Sequence, residues 1–147
     1  MSEEGRFWFD ESCSMEEIGA LRPILRKHER ILPPWIDAIH VECKTADWED
    51  RTAVASITCL AEYRRAHLCI YSLWLGQEPE FREHSIVHEL VHTLTHGQRI
   101  YANDVVLLLT SEKSDLKNYL REQERKVNEA TTEDLTLLLR RLGYFAA

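Results

Sequence analysis

Hydrophobic positions near the start of the chain recur at three- and four-residue intervals. Met15, Ile18, Leu21, Leu25, Ile31 and Leu32 make one such stripe, which predicts an amphipathic helix. Ser14 followed by Glu17 has the form of a capping box, and Pro33-Pro34 ends the run. Pro23 lies inside it and either kinks or splits the helix. The period then shortens to two. Ile39, Val41 and Cys43 alternate with His40 and Glu42, which predicts a strand over residues 35–44. After a polar connection come two β-rich stretches, 52–62 and 67–75, separated by the charged Tyr63-Arg64-Arg65. That arrangement predicts an antiparallel hairpin, closed by Gly76 and Pro79.

The helical period returns with Ile86, Val87, Leu90, Val91 and Leu94, and Gly97 stands where a C-cap glycine belongs. Glu78, Glu80 and Glu83 crowd the start of this helix, where negative charge suits the macrodipole. Residues 105–109 are continuously apolar, and periodicity alone does not separate a packed helix from a buried strand there. A further helix is expected from Ser114 to about Ala130, with Leu116, Tyr119, Leu120 and Val127 inward. A last one, capped by Thr131 or Thr132, presents Leu135, Leu138, Leu139 and Leu142 and stops at Gly143. The whole reads as one α+β domain over 1–147, its core about 35–142. Its sheet is small and mostly antiparallel, and residues 1–13, with Phe7-Trp8-Phe9, form a peripheral segment.

Composition narrows the function classes. A chain of 147 residues that is 44% hydrophobic can bury a core, and 29% charged residues are ordinary for a globular protein. The formal net charge of −7 argues against a nucleic-acid-binding face. No apolar run approaches the roughly 20 residues of a membrane span. The acidic start lacks the pattern of a secretory signal, so a cytoplasmic location is expected. The four cysteines, Cys13, Cys43, Cys59 and Cys69, contain no C-x-x-C pair and read as free thiols. Cys59 and Cys69 could face each other if they sit on paired strands.

The chemistry concentrates in His88-Glu89-Leu90-Val91-His92, which fits H-E-x-x-H. Residues four apart stack on one helical face, so His88 and His92 can offer two imidazoles to one metal ion. Glu89, beside the first, can take a proton from an activated water. By chance the pattern arises on the order of a few times in a thousand chains of this length.

A catalytic zinc site takes three protein ligands and keeps one position open. The longer H-E-x-x-H-x-x-G-x-x-H pattern is excluded, because Thr95 and Gln98 stand where its glycine and third histidine belong. His96 reads as a residue favouring the negative helix end, and His84, one turn before His88, as a neighbour of the cleft. Later carboxylates are Glu112, Asp115, Glu122, Glu124 and Glu129. Glu124 shares the stripe of Leu120 and Val127, where a buried carboxylate needs a compensating partner. Glu122 and Glu129 point elsewhere and read as solvated charge. Glu124 is therefore the expected third ligand.

The order of strands, HELVH helix and a later glutamate helix resembles the small glutamate-liganded zincins. Leu68-Cys69-Ile70-Tyr71-Ser72-Leu73 looks like their edge strand, and Gln123-Glu124-Arg125-Lys126-Val127 like their glutamate helix. The resemblance covers roughly residues 52–130. It is nearest to phage-type metallopeptidases and the ImmA/IrrE and SprT-like group. It implies a minimal zincin-like fold, the sheet packed on the H-E-x-x-H helix with further C-terminal helices. It also implies one Zn²⁺ held by His88, His92 and Glu124, with peptide bonds hydrolysed by a metal-activated water and Glu89 as general base. A peptide or protein substrate would lie along the edge strand. The oxyanion donor stays open among Tyr71, Tyr101, Tyr119 and His84. The small size implies a shallow groove and leaves room for a regulatory protein partner. The alternative is a catalytically weak zincin-fold binding module. No glycine-cysteine-leucine motif supports a deformylase.

Overall fold

The computed structural model describes residues 5–45, 52–110 and 115–144. The chain groups into two compact units, Met1–Thr93 and Leu94–Ala147. In the first, β1 (Phe7–Phe9) leads to α1 (Met15–His28) and a single 3₁₀ turn, Glu29–Ile31. Strands β2 (Ala38–Lys44), β3 (Ala55–Leu60) and β4 (Arg65–Tyr71) follow, and then α2 (Pro79–Leu109) begins.

The capping box at Ser14 is present in both directions: Glu17 N–H donates to Ser14 Oγ at 3.1 Å, and Ser14 N–H to Glu17 Oε1 at 3.0 Å. Pro23 is accommodated inside α1. Phe7–Phe9, expected at the periphery, is a strand with Phe7 buried.

The four strands form one sheet in the order β1-β2-β4-β3. The expected β3–β4 hairpin is there, antiparallel, with Ala55 opposite Ile70 and Leu60 opposite Arg65. Its turn needs a left-handed residue, Arg64 (φ 55°). The Arg64 guanidinium grips Asp37, with Nε donating to Oδ2 at 2.7 Å, and the Arg64 carbonyl accepts from Asp37 N–H at 2.8 Å.

The sheet is mixed, not mostly antiparallel: β1–β2 and β2–β4 are both parallel. The reason is connectivity. Helix α1 carries the chain from β1 back to a parallel β2. The chain then crosses to the far edge, and the hairpin returns β4 into the gap beside β2. Consequently β4, expected as the edge strand, is central, and the edges are β1 and β3.

One face of the sheet is the core side. Ile39, Val41, Ala66, Leu68 and Ile70 point there and are buried together with Leu21 and Leu25 of α1, Trp74, and Ile86, Val87, Leu90 and Val91 of α2. Strand alternation sends Trp8, His40, Glu42, His67, Cys69 and Ser56 to the opposite face. Cys59 lies opposite Ala66, and Cys69 opposite Ser56. The two thiols are thus on different faces and cannot meet; all four cysteines are free.

The second unit comprises the later turns of α2 and helix α3 (Asp115–Arg141). Two corrections arise here. Gly97 does not end its helix, and residues 105–109 are helical, because α2 runs on for 31 residues in all. The two expected C-terminal helices are one, α3. The expected start at Ser114 and the candidate Glu112 lie outside the described residues. Gly143 does close α3, with φ 79°. Tyr144 N–H donates to Leu139 O and Gly143 N–H to Arg140 O, each at 3.0 Å, a Schellman end.

The buried face of α3 is not the leucine stripe. Lys117, Thr132 and Thr136 are buried, whereas Leu116, Tyr119, Val127 and Leu138 are exposed. Leu94 is likewise exposed on α2. Polar groups on α3 find partners both within it and on α2: Thr136 Oγ1 donates to Thr132 O at 2.8 Å, and Asn128 Nδ2 to Thr95 Oγ1 at 3.2 Å.

Candidate metal centre

The start of α2 is held by two groups of contacts. Trp74, fully buried, donates its indole N–H to Ser85 Oγ at 3.1 Å and to Arg82 O at 3.2 Å. On the α1 side, Glu83 accepts from Lys27 Nζ at 2.7 Å and pairs with His28 Nε2 at 2.8 Å. Burial pushes the His28 imidazole pKa down, and the Glu83 carboxylate only partly offsets this. Burial pushes Glu83 up, but the hydrogen bonds from Lys27 and His28 prevail and leave it below its ordinary value. At neutral pH the pair is therefore a neutral imidazole donating to a carboxylate.

Held in this way, α2 buries Ile86, Val87, Leu90 and Val91 and leaves His88, Glu89 and His92 half-buried on another face. The His88 and His92 rings stand edge to face, centroids 4.9 Å apart and planes at 82°. A nitrogen of one lies within 4.8 Å of a nitrogen of the other. Two zinc ligands at about 2.0–2.1 Å in tetrahedral geometry sit about 3.3 Å apart, so small ring rotations bring both to one ion. His84 is half-buried one turn earlier on the helix.

The other expected site residues are in the second unit or on the sheet. Glu124 has a side chain only 12% exposed and faces Arg99 Nε at 3.7 Å. It lines a cavity of about 300 Å³ with Gln98, Arg99, Ala102, Val127 and Asn128. Glu124 is thus largely covered, but Val127, expected to share its buried stripe, is exposed. Glu129, expected to be solvated, is half-buried instead, because the polar face of α3 is the one turned inward. Glu122 is solvated as expected and pairs with Arg125 at 2.8 Å.

His96 is not at a helix end. Burial and the Arg99 charge push its pKa down, so it does not serve as a cation for the helix terminus. Among the oxyanion candidates, Tyr101 and Tyr119 are exposed. Tyr71 is buried, with its hydroxyl 2.8 Å from Ser56 Oγ.

Residues of metal-ligand type also converge on the sheet, where no sequence motif marks a site. Glu42, His67 and Cys69 bring one ligand atom each within 4.8 Å of one another. The signal was the strand alternation itself, with His67 and Cys69 two apart on one face, but their partner on β2 depended on the sheet order. The described residues thus include His, Glu and Cys groups able to hold a metal ion.

No protein-family model matches this chain, and no curated protein or solved structure matches it either. No described helix is long and apolar enough to cross a membrane.

Proposed function

We propose that the protein is a zinc-dependent peptidase whose metal is held by His88, His92 and a carboxylate of α3. The observation that carries this reading is the helical HELVH segment, with both imidazoles one turn apart on a half-buried face and Glu89 beside them. The donor set of two neutral imidazoles and a carboxylate suits Zn²⁺. When bound, zinc supplies Lewis acidity to a water and to a substrate carbonyl.

The chain's own residues supply the rest. Glu89 is not required as a ligand, and its carboxylate would hold a proton and pass it to the leaving amine. For the third ligand, Glu124 is the carboxylate that the sequence pattern names, and Glu129, half-buried on the same helix, is the one to compare with it. Glu124 already answers the charge of Arg99. An extended substrate would pair with an exposed strand edge, and β3 takes the place first given to β4.

The test is metal content combined with hydrolysis of an unfolded general protein substrate. Glu89→Gln should retain zinc and lose activity by at least about 100-fold. Unchanged activity would refute the base. Glu129→Ala and Glu124→Ala, compared for zinc affinity, identify the third ligand.

A further inference from the structure

We propose that Glu42, His67 and Cys69 form a second transition-metal site, on the face of the sheet turned away from the core. The site is separate from the helical histidines and does not depend on the peptidase reading.

Its geometry follows from the strand order. Glu42 and Cys69 are direct partners across the parallel β2–β4 ladder. His67 is two residues before Cys69, and so on the same face. Their ligand atoms lie within 4.8 Å of one another. His67 Nε2 is 2.7 Å from Glu42 Oε2 and 3.9 Å from Cys69 Sγ. A tetrahedral ion with nitrogen and oxygen at about 2.0 Å and sulfur at about 2.3 Å needs edges of roughly 3.3–3.6 Å. The carboxylate must therefore withdraw slightly and the thiol approach slightly, both within side-chain motion.

The surroundings hold the imidazole in place. His40 stacks on His67 with centroids 4.7 Å apart and planes 6° from parallel. His40 Nε2 is itself fixed by Asp10 Oδ2 at 2.8 Å, and Trp8 covers its other side at 4.6 Å. Lys44 Nζ lies 3.6 Å from Glu42 Oε2. It is half exposed and can swing into solvent when an ion neutralises Glu42.

One nitrogen, one sulfur and one oxygen donor select a borderline ion of the zinc class over Mg²⁺ or Ca²⁺. Three protein ligands leave a fourth position for water or an external ligand. On binding, the Cys69 thiol releases its proton to solvent and its sulfur binds as thiolate. The His67 proton moves to Nδ1, freeing Nε2.

Cobalt separates this site from the helical one, because only this site has a thiolate. Chelator-stripped protein titrated with Co²⁺ should develop a sulfur-to-cobalt charge-transfer band in the near ultraviolet. The band should saturate at one equivalent for this site and persist in His88→Ala/His92→Ala. It should vanish in Cys69→Ser. Glu42→Gln and His67→Gln, milder changes, should each weaken Co²⁺ binding beyond the roughly 10–100-fold that outer-shell changes cost. The other thiol cluster, Cys13 and Cys43, has its sulfurs 2.9 Å apart, so Cys13→Ser should leave the band intact. No band in the wild-type chain, or a band that survives Cys69→Ser, overturns the proposal. Loss of hydrolysis or of the helical metal alone leaves it standing.

Discussion

Trp74 is the side chain on which the placement of α2 depends most directly, and replacing it with phenylalanine tests that dependence. Its indole is fully buried, and its N–H reaches both Ser85 Oγ and Arg82 O. Phenylalanine removes about two buried ring carbons, worth roughly 1.6 kcal/mol at about 0.8 kcal/mol per carbon. The lost hydrogen bond adds about 1 kcal/mol. Ser85 Oγ already donates to Arg82 O at 2.9 Å, so that carbonyl keeps a partner and no larger penalty arises. The sum, about 2.5 kcal/mol, corresponds to a fall in Tm of roughly 5–10 °C for a chain of this size. Calorimetry or circular dichroism would measure it. Ser85→Ala removes the Ser85 Oγ contacts to the indole N–H and to Arg82 O, while the indole keeps Arg82 O, and should cost about 1 kcal/mol. The double variant should cost less than the sum of the two by about 0.5–1 kcal/mol, since both act on one contact. A Trp74→Phe shift below about 2 °C, or strict additivity, would show that the indole does not anchor the helix.

Stability should also fall with acid in two stages. His28 has a folded pKa below its ordinary 6.5, so the unfolded chain takes up a proton that the fold resists. Stability drops as pH falls from 6.5 toward the folded value, by at most about 1.4 kcal/mol per pH unit for this group. Glu83 has a folded pKa below 4.5; its contribution is complete above 4.5 and is lost as pH falls through the folded value. His96, also pushed down, adds to the first stage. His28→Gln should flatten the slope between pH 6.5 and 5, and an unaltered slope in urea titrations would discount the residue. Ser14→Ala should cost about 1 kcal/mol through the lost cap of α1, read as a lower urea midpoint at an unchanged m-value.

What the sequence determined by itself is what local geometry controls. The capping box, the hairpin, the helical setting of His88, Glu89 and His92, and the glycine stop at Gly143 depend on residues a few positions apart. Their periodicity and backbone preferences are sufficient to specify them. The burial of Glu124 was legible too, but for the wrong neighbours. The face of α3 was chosen from its leucines, and the chain buries Lys117, Thr132 and Thr136 instead. Amphipathic period identifies a buried face only when the burying partner is apolar.

Tertiary structure alone decided the long-range relations. Gly97 costs a helix interior only about 1 kcal/mol, which neighbouring turns can absorb, so it did not stop α2. Strand order is a choice among topologies that leave every local pattern unchanged. It moved β4 from the edge to the centre and set Glu42 beside Cys69, while the hairpin register put Cys59 and Cys69 on opposite faces. The ligand set on the sheet follows from that one choice, because residues that alternate along two strands meet only after the strands are paired.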